Sequence, residues 1–190
     1  HPNLPRVIDY FLEGANQFLV MDYIPGDDLK TLVEKMGSLP LDSVLAWTEQ
    51  LGSALAYLHR QVPPIVHRDI KPANLKLSAE NEVVLVDFGI AKKADTTQAT
   101  AAGAVGYTPG YAPPEQYGSA RTGPYSDQYS LAATLYHLLS GQKPVDSIQR
   151  VLEQDTLKPI GALNPAIPIH IQAAIQRAIP EMNNLMQAAV

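Results

Sequence analysis

The chain has 190 residues, enough for one compact domain or the larger part of a two-lobed one. With 14 Lys and Arg against 19 Asp and Glu, a formal charge of −5, it lacks the basic excess that wraps a polyanion, which argues against nucleic acid as its main partner. Hydrophobic residues at 46% and charged residues at 17% describe a chain that folds, and the lack of cysteine excludes disulfides, thiolate metal sites and a thiol nucleophile.

The chain opens on His1-Pro2 with no initiator Met, which suggests an excerpt of a longer protein. Two short strands are predicted at Val7 to Leu12 and Gln17 to Asp22, joined by the turn formers Glu13-Gly14-Ala15-Asn16. Asp27 or Asp28 then caps a short helix with apolar residues Leu29, Leu32, Val33 and Met36 at the 3.6 period, closed by Gly37. Ser38 and Pro40 open a longer helix whose stripe is Leu41, Val44, Leu45, Thr48, Leu51, Leu55 and Leu58, with Trp47 read as core; Pro63-Pro64 stops it.

Beyond it, Ile65-Val66, Leu75 to Leu77 and Glu82 to Val86 are brief β-type runs alternating with polar loops. The Ala- and Thr-rich stretch from Ala91 to Gly103 has no periodicity and reads as a surface loop. Helices are expected again at about Asp127 to Leu139, Val145 to Gln154 and Ile169 to Ile179, with prolines between them. Strands followed mostly by helices make the fold class α+β. No apolar run approaches the ~18 residues that span a bilayer, and the five histidines lack the spacing that puts two metal ligands on one helix face. His59 and His137 are therefore read as packing or surface residues.

The chemistry lies in the loops. His67-Arg68-Asp69-Ile70-Lys71-Pro72-Ala73-Asn74 gathers a carboxylate, an ammonium and an amide, and the next apolar run, Val83 to Val86, delivers a second carboxylate at Asp87-Phe88-Gly89. Phosphoryl transfer needs such a set: a carboxylate to orient or deprotonate the attacking hydroxyl, a cation against the phosphate, and hard oxygen ligands for Mg²⁺. Asp69, Lys71, and Asn74 with Asp87 are the candidates.

In these residues the chain resembles the eukaryotic-type (Hanks-type) protein serine/threonine kinases, in a style that looks bacterial. The resemblance implies a protein-kinase-like fold, with residues 1–24 a remnant of the small lobe's sheet plus the hinge and residues 25–190 the helical large lobe. It implies ATP and Mg²⁺ as cofactors and a protein with a Ser or Thr acceptor as substrate. Asp69 is then the catalytic base, Lys71 the γ-phosphate lysine, and Asn74 and Asp87 the Mg²⁺ ligands. Met21 becomes the gatekeeper before Asp22 and Ile24, whose backbone meets adenine. Thr108-Pro109-Gly110-Tyr111-Ala112-Pro113-Pro114-Glu115 resembles the substrate-binding loop, with Thr108 bonded to Asp69 and Lys71. Asp127 resembles the residue that braces the catalytic loop from beneath. Thr96, Thr97 and Thr100 are candidates for activating phosphorylation opposite Arg68, with a homodimer phosphorylating itself in trans. The resemblance further implies a cytoplasmic location, with or without a membrane anchor elsewhere in the protein and with no membrane contact in this segment.

The chain departs from the family pattern in places. It contains no Gly-rich phosphate loop, strand lysine or partner glutamate, so the 190 residues alone are expected to bind ATP weakly and to show little activity. Lys76 stands where an apolar residue usually underlies adenine, Pro113 replaces the usual Ala, and Glu115 has no arginine partner in the sequence near the C-terminus. Two other functions stay open at this level: a non-catalytic, pseudokinase-like binding or scaffold module, and a small-molecule kinase of related architecture.

Overall fold

A computed structural model describes residues 1–14, 16–87, 107–118, 121–152 and 157–179. The chain begins with the antiparallel hairpin of β1 (Val7–Glu13) and β2 (Asn16–Met21), in register from Val7↔Met21 to Glu13↔Asn16 with a shift between Val7 and Asp9. Phe11 and Phe18 stack across it at 5.1 Å, and an Arg6–Asp22 ion pair closes its open end. Val7, Ile8, Tyr10, Phe11, Leu12, Phe18 and Val20 are all exposed.

Helix α1 (Leu29–Met36) starts where Asp28 accepts from the Thr31 N–H and ends at Gly37, whose φ of 75° only glycine adopts without strain. Helix α2 (Leu41–His59) buries Val44, Trp47, Leu51, Ala54, Leu55 and Leu58. Trp47 is buried as expected, while Leu45, expected on the apolar stripe, is 37% exposed. Strands β3 (Leu75–Leu77) and β4 (Val83–Leu85) form a second antiparallel pair packed on α2. Asn81 turns between them with φ 63°, and its side chain accepts from the Trp47 indole. Asn3 fastens the first residues to this pair: its Nδ2 donates to the Val83 carbonyl and to Gln50, and its carbonyl accepts from Leu85. The Ile65-Val66 run makes no strand; its backbone turns instead to α2, the Ile65 N–H donating to Leu58.

Helix α3 (Pro124–Ser140) runs through the middle of the helical layer, against α2 on one side and α5 (Ile160–Leu163) and α6 (Ile169–Ala178) on the other. Ser130, Ala132, Ala133 and Thr134 are buried along it, small enough for neighbours to approach closely, and the two hydroxyls donate to carbonyls one turn back. Helix α4 (Ser147–Leu152) starts two residues later than expected because Asp146 takes the capping position and accepts from the N–H groups of Ile148 and Gln149. α5 was not expected; it is a single turn set off by Pro159. The helical lobe with small sheets confirms the α+β class, and among the described residues no helix is long and apolar enough to cross a membrane.

Leu51 and Leu45 provide a paired test of which α2 face is core. Leu51→Ala, at a site 1% exposed, is expected to lower the unfolding free energy by about 2–5 kcal/mol. Leu45→Ala is expected to cost less than about 1 kcal/mol. Urea denaturation followed by circular dichroism measures both.

Candidate active site

The site is assembled from the floor upward. Asp127, near the start of α3, has no exposed surface. Its Oδ1 accepts the Arg68 N–H at 2.8 Å, and its Oδ2 accepts the His67 N–H at 2.9 Å and His59 Nε2 at 2.8 Å. Two consecutive amides are thereby turned down onto one carboxylate, and Arg68 takes φ 70°, a left-handed value costly for a side chain with a Cβ. The carbonyl of Arg68 is held from the other side by Gln116.

This bend lifts Asp69 into the loop's open face. Three side chains donate to its carboxylate: Thr108 Oγ1 to Oδ1 at 2.8 Å, Lys71 Nζ to Oδ2 at 2.9 Å, and Asn74 Nδ2 to Oδ2 at 3.1 Å. Lys71 also donates to the Thr108 hydroxyl at 2.9 Å, closing a triangle of acid, ammonium and alcohol. Thr108 is 39 positions from Asp69 in sequence. The residues expected to meet, Asp69, Lys71, Asn74 and Thr108, do meet.

Asp87 follows β4 on the same side. The Val86 N–H donates to the Asn74 carbonyl at 2.9 Å, and the Val86 carbonyl faces His67 Nε2 at 3.2 Å, so the residue before Asp87 is tied to both ends of the catalytic loop. Asp87 is exposed and itself takes a left-handed φ of 57°. The charges of Asp69 and Asp87 both act on the His67 ring.

The donor set suits a small hard cation. Asn74 is 4% exposed, and its Nδ2 is spent on the carbonyl and carboxylate of Asp69. Its amide oxygen is thereby turned away from Asp69, and among the described residues no hydrogen bond takes it. An amide oxygen and a carboxylate, the groups that Asn74 and Asp87 carry, are the kinds of oxygen ligand that Mg²⁺ accepts alongside water and phosphate. At the end of β2, Met21 is half-buried; the Asp22 N–H donates to Arg6, while the Asp22 carbonyl and the Ile24 N–H take no hydrogen bond among the described residues. Lys76 turns its ammonium to the Gly26 carbonyl at 3.2 Å. Phe88, Thr96, Thr97 and Thr100 lie outside the described residues.

Four features were not legible in the residue pattern. Glu115 has a partner after all, the Ser126 hydroxyl donating to it at 2.7 Å. His59, read as a packing or surface residue, bonds to Asp127; its place in the last turn of α2 was the available clue. Asp146 holds the loop at Gly110 and Gln116 the loop at Arg68, and only the capping character of Asp146-Ser147 hinted at either.

His67 is fully buried, with Nε2 donating to Val86 and Nδ1 accepting from the Asp69 N–H at 3.3 Å. Burial pushes its pKa below the ordinary value of 6.5, against the pull of Asp127, Asp69 and Asp87. The unfolded chain therefore binds this proton more readily than the folded one. The stability contributed by neutral His67 is whole above pH 6.5 and is lost as pH falls from there toward the depressed folded value. In urea denaturation from pH 8 to 5, His67→Phe should be less stable at pH 8 yet lose less on acidification than the parent chain; equal slopes would refute the assignment.

The comparisons agree with this geometry. The family model described as the protein kinase domain matches residues 1–187. The serine/threonine-protein kinase PknA of Mycobacterium tuberculosis is 34% identical over 183 residues, covering 93% of this chain and 42% of PknA. Serine/threonine-protein kinase B of Synechocystis is 37% identical over 172 residues, covering 84% of this chain and 29% of that protein. The crystal structure of the Mycobacterium tuberculosis PknI kinase domain superposes with a TM-score of 0.72 at 28% identity, over 97% of this chain and 66% of that one. The chain thus spans less than half the length of the curated relatives named here. From its catalytic-loop geometry to its whole-length match, the chain belongs to the protein kinase domain family.

Proposed function

We propose that this chain is the greater part of the catalytic domain of an ATP-dependent protein kinase that phosphorylates Ser and Thr hydroxyls. The observation that carries the reading is the closed triangle of Asp69, Lys71 and Thr108. The family uses ATP and a divalent metal in general.

Asp69 orients the acceptor hydroxyl and takes its proton as the oxygen bonds to the γ-phosphorus and the bond to the ADP oxygen breaks. Lys71 lies one hydrogen bond from Asp69, where its ammonium offsets charge on the transferring phosphoryl group. Asn74 and Asp87 hold Mg²⁺, which when bound offsets phosphate charge. Asp22 and Ile24 offer a carbonyl and an N–H to adenine behind Met21. Residues 1–24 then belong to the small lobe and hinge and residues 25–190 to the large lobe, working on a protein substrate in the cytoplasm.

Arg68 supports a phosphorylation-controlled state. Its Nε is buried with no hydrogen-bond partner among the described residues, and a phosphate on Thr96, Thr97 or Thr100, placed by a second copy of the chain, would offer three acceptor oxygens.

Transfer of ³²P from ATP is expected from the domain prepared with its upstream sequence, and Asp69→Asn or Asp87→Asn should each lower it by about 10²–10⁴-fold. Equal label in all three proteins would leave the scaffold reading. The 190 residues alone, containing no Gly-rich loop or strand lysine, should bind ATP measurably more weakly than that longer protein by isothermal titration. Mass spectrometry of active protein should find phosphate on at least one of Thr96, Thr97 and Thr100, at a rate that rises with protein concentration.

A further inference from the structure

The loop that brings Thr108 to Asp69 is anchored by groups the phosphoryl-transfer reading leaves unused. The Gly110 N–H donates to Asp146 at 3.2 Å, and the Asp146 carboxylate also accepts from the Tyr117 hydroxyl and from the first N–H groups of α4. The Tyr111 hydroxyl meets His137 Nδ1 at 2.6 Å. Over the ring of Tyr111 stands Lys143, its Nζ 5.7 Å from the centroid, within cation–π range.

Gly110 admits that lysine. A Cβ built at Gly110 would lie 2.8 Å from Lys143 Cε and 2.7 Å from the Pro144 carbonyl oxygen, and its φ of +86° already favours glycine. The stem of Lys143 is therefore held against the residue two positions beyond Thr108, while its side chain remains exposed. Among the described residues no carboxylate lies within ion-pair distance of its Nζ.

The nearby acids are engaged elsewhere. Asp146 faces inward onto its four donors, and Glu34 pairs with Lys30 at 3.6 Å. Burial, reinforced by the Lys143 charge, holds His137 below its ordinary pKa despite Glu34, so the imidazole beneath the lysine adds no second cation. A positioned, exposed ammonium with no counter-charge among the described residues thus borders the surface on which an acceptor peptide would lie.

We propose that Lys143, seated on Gly110 and Tyr111, is a specificity-determining residue that selects protein substrates carrying Asp or Glu within a few residues of the acceptor hydroxyl. The proposal rests on the protein-kinase reading for where the peptide lies, but its test does not depend on catalysis.

Fluorescein-labelled peptides with a central Ser in a Gly-Ala frame, flanked by Asp, by Lys or by neither, are titrated into the chain and followed by fluorescence anisotropy. The Asp peptide should bind about threefold more tightly than the neutral one, with the advantage fading at high salt. Lys143→Met should abolish the preference and Lys143→Glu should reverse it toward the Lys peptide. Circular dichroism melts of both variants check that a change at this exposed side chain leaves the fold intact. Equal affinities, no binding, or an undiminished Asp preference in Lys143→Glu would overturn the proposal. Acid-selective binding by a protein that, with its upstream sequence, transfers no phosphate from ATP would instead refute the kinase reading alone.

Discussion

The catalytic loop keeps its shape through the Asp127 carboxylate. It lies beneath the loop with no exposed surface and is bonded to two consecutive backbone N–H groups and one imidazole. A buried carboxylate is costly unless its oxygens are satisfied, and an amide left unpaired at the same depth costs about 1–3 kcal/mol. The two needs answer each other at His67 and Arg68. The resulting turn forces Arg68 into a left-handed conformation, a strain of roughly 1–2 kcal/mol that the paired amides sustain.

From that turn the rest of the site follows in sequence. Asp69 is lifted, Lys71 and Asn74 fold back onto it across one 3₁₀ turn at Pro72–Asn74, and Asn74 passes the order on to Val86 and so to Asp87. A distant loop then joins through the Thr108 hydroxyl, which both receives a hydrogen bond and donates one. The central helix is thus a platform: its buried small residues let neighbours close in, and its first turn carries the charge that shapes the reactive loop.

Local chemistry was legible where one stretch of chain determines it. The hairpin, the Asp28 cap, the Gly37 stop and the strands around Asn81 all follow from periodicity and turn formers, and the structure has them. The residues proposed for catalysis stood out because Asp69, Lys71 and Asn74 fall within one octapeptide. What the sequence could not disclose depends on contacts made at long range. The Ile65-Val66 run looks like a strand, but the Ile65 N–H pairs with the end of a helix at Leu58. Leu45 falls on the apolar period of its helix and is nonetheless 37% exposed, because the packing of α2 on its neighbours settles which edge of the stripe is covered. Glu115 seemed to want an arginine, yet it accepts from a serine 11 positions away in the first turn of α3.

The same turn at Asn81 leaves the molecule with a built-in optical reporter. The chain has one tryptophan, and its indole is 5% exposed with its N–H on the Asn81 side chain, at the seam where the long helix meets the strand pair leading to Asp87. Loosening of that seam admits water to the only such chromophore, so the emission wavelength of the unlabelled protein reads the integrity of the scaffold behind Asp87.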